Sequence, residues 1–107
     1  MPTHATVRFA RMLLEQLHAK RQAIQALGQK FGAKRIRVFG SVARGKESDH
    51  SDIDFLVELP RGYDLFGQRI PLTEALSSLL GRAVDVVPDH ELSPHIRSRV
   101  VGEAVEL

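Results

Sequence analysis

Two aspartates one residue apart, Asp52 and Asp54, open an otherwise apolar run in the segment SDIDFLVEL. In an extended strand, residues two apart point to one side, so both carboxylates face one way and Ile53 the other. Two steps of strand rise put their Cβ atoms roughly 6–7 Å apart. Carboxylates at that spacing converge on one or two hard cations, and Mg2+ takes oxygen ligands while keeping room for water and phosphate. Without a cation the two repel, and one tends to hold its proton. A third carboxylate, Asp85, lies in the middle of the run AVDVVP. An ionised aspartate in an apolar strand is costly unless it is paired or metal-bound. If its strand lies beside that of Asp52, the three carboxylates share one sheet face, which suits two-metal phosphoryl or nucleotidyl displacement. Taken singly, each has a plainer reading: SDID is also a common entry from turn to strand, and Asp85 could pair with an arginine at a strand edge.

Gly40 and Ser41 supply the other half of that chemistry. They follow the alternating run RIRVF. A glycine after a strand lets the backbone approach a ligand closely. Backbone N–H groups at a following helix start favour phosphate. Ser41 adds a hydroxyl, and Arg44, about one turn on, offers a planar fork to a phosphate oxygen. A simple helix cap at Ser41 and a solvated loop arginine at Arg44 are the structural alternatives.

The elements that must position these residues follow from periodicity and punctuation. Residues 6–27 carry apolar side chains at three- and four-residue steps and read as one long helix, started at Thr6 and stopped by Gly28. Residues 35–39 alternate as a strand that ends at Gly40-Ser41. Residues 42–44 begin a short helix with Ser41 as N-cap. Residues 45–51 are polar and read as a loop. Residues 52–59 form a second strand, stopped by Pro60, and its Phe55-Leu56-Val57 core is apolar on both faces, so it should be central. Residues 65–80 read as a helix with Pro71 inside it, so the helix either kinks there or starts near that proline. Gly81 is a good stop. A third strand spans residues 83–87, and Ser93-Pro94 starts a last helix that runs to about Gly102. The order is α/β, or α+β, with helices covering a small sheet.

The chain has 107 residues, no cysteine and a formal charge of only +2, which places it as one ordinary globular domain without disulfides or thiolate metal sites. Its N-terminal stretch lacks the apolar run of a signal peptide or membrane span, so a soluble, cytoplasmic protein is the expectation. The mild charge and scarce aromatics argue against direct nucleic-acid binding. His4, His18, His50, His90 and His95 show no metal-ligand spacing. Tyr63 could stack on a base, but packing on the domain is the expected use.

Gly40-Ser41, then ten residues, then Asp52-Ile53-Asp54, with Asp85 in a later VDVV strand, resembles the nucleotidyltransferase superfamily that includes DNA polymerase beta. The wording FGSVARG, SDIDFLVEL and LLGRAVDVV is most similar to its minimal nucleotidyltransferases, commonly paired with a HEPN-domain toxin. The resemblance runs from Phe31 to Leu107 and leaves the first helix outside the core motif. It implies a polymerase-beta-like fold over residues 1–107: an N-terminal helix over 1–30 and a catalytic core over 31–107, whose small mixed sheet is flanked by helices. It implies Mg2+, two ions, ligated by Asp52, Asp54 and Asp85, and a nucleoside triphosphate, ATP, held by Gly40 and Ser41 with Arg44 assisting. Asp85 would also help deprotonate the acceptor hydroxyl. In the antitoxin branch the acceptor is a tyrosine of the HEPN toxin, AMP transfer silences it, and the pair forms a hetero-oligomer. No segment is left over to hold a polymer or a second small molecule, so the acceptor must be held by another chain or be that chain. A non-catalytic antitoxin that works by occlusion, and a small-molecule nucleotidyltransferase, are the competing readings.

Overall fold

The computed structural model describes residues 13–45 and 52–107. The expected helix start at Thr6 and loop residues 46–51 lie outside them. Helical residues 13–19 (α1) precede α2, Arg21–Lys30. Then come β1, Ile36–Phe39, and a short α3, Gly40–Arg44. Strand β2, Ile53–Val57, leads to a π-helical turn, Leu65–Arg69, and α4, Ile70–Leu80. Strand β3, Val84–Pro88, a 3-10 turn, Asp89–Glu91, α5, Pro94–Glu103, and β4, Val105–Glu106, complete the chain. The sheet order is β3-β2-β1-β4. Strands β2 and β3 run parallel, while β1 is antiparallel to both β2 and β4, so the sheet is mixed and β2 is an inner strand.

Residues paired across strands share a face. Ile36, Val38, Ile53, Phe55, Val57 and Val86 form one buried face, packed in a single core with Leu13, Leu17, Ile24, Leu72 and Leu76 from the helices. The opposite face carries Arg37, Phe39, Asp54, Leu56 and Asp85. Helix α5 packs on this side, against β1 and α3. One face therefore makes the core, and on the other Arg37 and Leu56 are buried as well, while Asp54 and Asp85 stay accessible.

The single long N-terminal helix is not what forms. The backbone leaves the helix at Lys20 (φ −100°, ψ 13°), and α2 then runs on to Lys30. Lys20 sends its Nζ to the carbonyl of Leu79, near the end of α4, at 3.3 Å. Gly28 does not stop the helix. It sits inside α2, where an added Cβ would lie 2.6 Å from Ile36 Cδ1 and 3.2 Å from the Ala33 carbonyl. Its role is close approach of α2 to β1. The stop is made by Gly32 at φ +83°. Its N–H bonds the Gln29 carbonyl at 3.2 Å, and the Ala33 N–H bonds that of Gly28 at 2.7 Å, the paired pattern of a left-handed C-terminal cap. Gly28→Val should therefore lower stability by about 2–3 kcal/mol through overpacking against β1. Thermal unfolding followed by circular dichroism checks this, and an unchanged melting temperature would refute it.

Residues 65–80 are helical throughout, as expected, and Pro71 is accommodated by a change of helix type: π geometry runs to Arg69, and α4 begins at Ile70 with Pro71 in its first turn. The wider π turn before it is capped by the Asp64 side chain, which accepts from the Phe66 N–H at 3.1 Å. Gly81 closes α4 as expected, at φ +66° with its N–H on the Ser77 carbonyl at 2.8 Å. Ser93 occupies the N-cap of α5, though its side chain makes no capping bond. At α3 the expectation shifts by two residues: Phe39 is the cap residue and Ser41 lies inside the helix. Gly40 can turn the chain directly from strand to helix because it adopts φ +75°. Strand β4 had no signal in the sequence, being two residues long and defined only by its pairing with Arg37 and Val38.

Candidate functional site

Asp54 is the second residue of β2. In the antiparallel direction it is opposite Phe39, and in the parallel direction it is opposite Asp85. Strand pairing thus sets two of the three aspartates side by side on the face away from the core. Asp52 lies just before β2 and is exposed, as is Asp85, whereas Asp54 is half-buried. Burial pushes the Asp54 carboxyl above the ordinary carboxylate range, and the neighbouring charges of Asp85 and Asp52 push it further, against a smaller pull down from Arg44. Among the described residues, no three acidic or histidine side chains converge tightly enough to bind one ion as they stand. The donor set still fits a hard cation in its chemistry: it is all carboxylate, and the burial and like charge that push Asp54 up are what a nearby cation would offset.

Gly40 forms the floor beside Asp54. A Cβ at position 40 would overlap a carboxylate oxygen of Asp54 and lie 3.2 Å from its Cγ. Only glycine permits this approach, independently of its positive φ. Ser41 and Arg44 follow on α3, Ser41 half-buried and Arg44 exposed at the helix end. Of the six residues expected to form the site, Asp54 and Asp85 thus lie on adjacent strands, Asp52 just before β2, and Gly40, Ser41 and Arg44 on α3.

Two further groups come to this region without a signal in the sequence. Glu103, at the end of α5, accepts from the Gly40 N–H at 3.3 Å and from Arg44 Nη1 at 3.1 Å. Arg69 lies within electrostatic reach of Asp85. It donates from Nε to the Val86 carbonyl at 2.8 Å and from Nη1 to Tyr63 at 3.0 Å and Glu91 at 3.1 Å. Strand β3 is an edge strand, and Arg69 covers one of its free carbonyls. Tyr63 is held by that arginine and by Glu91, so it packs on the domain. His90 stands with its ring 6.0 Å from that of Tyr63, and His18 lies in α1, so the described histidines form no cluster. Spacing could not reveal Glu103 or Arg69, because their partners lie across the fold.

With that geometry in place, the likenesses to known proteins are specific. The family model described as nucleotidyltransferase domain matches residues 20–107. That match takes in α2, which the motif reading left outside at Phe31. Protein adenylyltransferase MntA of Thermococcus cleftensis is 39% identical over 79 residues, 74% of this chain and 79% of that protein. A Methanocaldococcus jannaschii protein, named provisionally as a protein adenylyltransferase, is 39% identical over 88 residues, 82% of this chain and 92% of its own length. A solved structure assigned provisionally as a minimal nucleotidyltransferase superposes with a TM-score of 0.77 at 45% identity, covering 88% of this chain and 95% of that one. A toxin–antitoxin crystal structure with AMP-PNP superposes with a TM-score of 0.65 at 28% identity, covering 78% of this chain and 68% of that one. No helix among the described residues is long and apolar enough to cross a membrane. Fold, strand register and likeness agree: the chain belongs to the nucleotidyltransferase domain family, as a minimal nucleotidyltransferase of the protein adenylyltransferase branch.

Proposed function

We propose that this chain is a Mg2+-dependent adenylyltransferase that moves AMP from ATP to a tyrosine hydroxyl of a HEPN-domain toxin and so acts as its antitoxin in a single catalytic domain. The observation that carries this reading is the register of Asp54 beside Asp85, with Gly40 shaped to receive the Asp54 carboxylate. The name of the Thermococcus cleftensis relative and the AMP-PNP in a similar toxin–antitoxin structure support the choice of reaction and nucleotide. In this reading Asp52, Asp54 and Asp85 hold the metal ions. Bound there, Mg2+ would stabilise charge on the reacting phosphate and bring the acceptor oxygen to it. Ser41 and Arg44, at the Gly40 turn, hold the triphosphate. Asp85 takes the proton of the acceptor hydroxyl. The hydroxyl oxygen forms a bond to the α-phosphorus, the bond from that phosphorus to the bridging oxygen breaks, and pyrophosphate leaves.

The test is incubation with Mg2+ and ATP labelled at the α-phosphate, together with the product of the neighbouring gene. Label should appear on a tyrosine of that partner with the wild type and not with the Asp52→Ala/Asp54→Ala double variant. A complex that forms equally well with both, without label, would replace this reading by antitoxin action through occlusion. Label on small molecules alone would point to the small-molecule branch.

A further inference from the structure

An acid at the end of α5 is in the wrong place for its own helix. The C-terminal end of a helix is the negative end of its dipole, and a carboxylate there is disfavoured by about 0.3–1 kcal/mol. Glu103 is the last residue of α5. Its side chain is only 19% exposed. Something outside the helix must account for its position, and the contacts identify it. One carboxylate oxygen accepts from both the Gly40 N–H at 3.3 Å and Arg44 Nη1 at 3.1 Å, and the other stands 3.3 Å from the same Arg44 nitrogen.

We propose that Glu103 is a positioning residue that holds Arg44 ready for the triphosphate and keeps it off the aspartates. This inference rests on the nucleotide reading of the site. Arg44 ends a helix of five residues, too short to restrain a long side chain by itself. Among the described residues, the other anions at this mouth are Asp52, Asp54 and Asp85. A guanidinium released onto them would form the ion pair that a divalent cation is meant to replace, and would be lost to the phosphates. Among the described residues Glu103 is the only side chain bonded to Arg44, and it takes a single nitrogen of the fork. Nε and the second Nη bond no described residue, which leaves them to meet a phosphate oxygen. An arginine already ordered in this way loses less freedom when the phosphate arrives.

The same contact assigns the Gly40 N–H. That donor faces Glu103, so the turn's donation to phosphate falls to Ser41 and Arg44. Gly40 contributes its shape: the positive φ and the room for Asp54.

The experiment is a double-mutant cycle on the full chain, with Mg2+–ATP binding measured by calorimetry and transfer kinetics measured on the partner. Glu103→Gln should raise Kd and KM for ATP about tenfold, the scale of one charge-assisted contact. Glu103→Asp should recover part of the loss. In an Arg44→Ala background Glu103→Gln should change nucleotide binding by less than twofold, because its effect passes through the arginine. A purely structural glutamate would lower the melting temperature in both backgrounds and weaken binding in both alike, and that result would overturn the proposal. An unchanged KM would also overturn it. A lower KM would do so in a different way, by making Glu103 a competitor of the phosphate. If Arg44→Ala impairs binding and Glu103→Gln does not, the nucleotide reading stands and only this inference fails. A wild type that binds no nucleotide overturns both.

Discussion

Asp54→Asn is expected to cost transfer about 10²–10³-fold and yet to make the protein harder to unfold. The first effect follows from the proposed ligand role: an amide keeps the shape but removes the charge that holds a cation beside Asp85. The second follows from the position of the native side chain. Asp54 is half-buried and shares its face with two other aspartates, so ionising it in the folded state is uphill. Its folded carboxyl is raised relative to the unfolded chain. The protonated form therefore favours folding, and that contribution is complete below the unfolded value. It is lost as pH rises through the higher, folded value. Above that folded value the wild type carries the penalty and the asparagine variant carries none of it. Because the group is also substantially exposed, water screens much of the repulsion, and the gain should be only about 0.5–1 kcal/mol. Thermal unfolding in a chelator should show the variant ahead near neutral pH and the difference shrinking toward about pH 3, below the ordinary carboxylate range. A variant that melts lower than wild type at neutral pH would mean that Asp54 is held by favourable contacts and not by the demands of a site. Saturating Mg2+ and ATP should reverse the order, since ligands that bind only the folded wild type stabilise it by mass action.

Gly40→Ala should damage both stability and activity, for two separable reasons. The backbone is at φ +75°, where a side chain costs about 1–2 kcal/mol. In addition, the new methyl would overlap the Asp54 carboxylate, which must then move. Displacement of a reacting group by about 1 Å is enough to cost roughly 10²-fold in rate. Gly45 separates the two effects. It closes α3 at φ +69°, but an added Cβ there meets none of the described residues within 4 Å. Gly45→Ala should therefore show the backbone penalty of about 1 kcal/mol with transfer changed by less than about threefold. Unfolding curves and initial rates for the pair give the comparison. Equal loss of activity in both variants would mean that Gly40 serves the turn alone and that the closeness of Asp54 has no catalytic consequence.

What the sequence determined by itself is the set of short-range features. The apolar inner strand β2, the stop at Gly81 and the proline start of α5 depend on dihedral preference and alternation within a few residues, and they read correctly. Asp85 could be marked only conditionally, because its meaning depends on which strand lies beside β2. Parallel pairing of β2 with β3 supplied that condition. Where a residue's role is set by a distant neighbour, local rules misassigned it. Gly28 has the chemistry of a helix stop, but the approach of Ile36 makes it a contact inside α2, and Gly32 takes the turn. Residues 6–27 carry one continuous apolar periodicity, which is blind to the break at Lys20. The grip of Glu103 on Gly40 and Arg44 joins positions about sixty residues apart, and no periodicity reaches that far. Dihedral preferences and alternation are properties of neighbouring residues and survive in the sequence. Register, close approach and charge pairing are properties of the packed chain, and only the tertiary structure decided them.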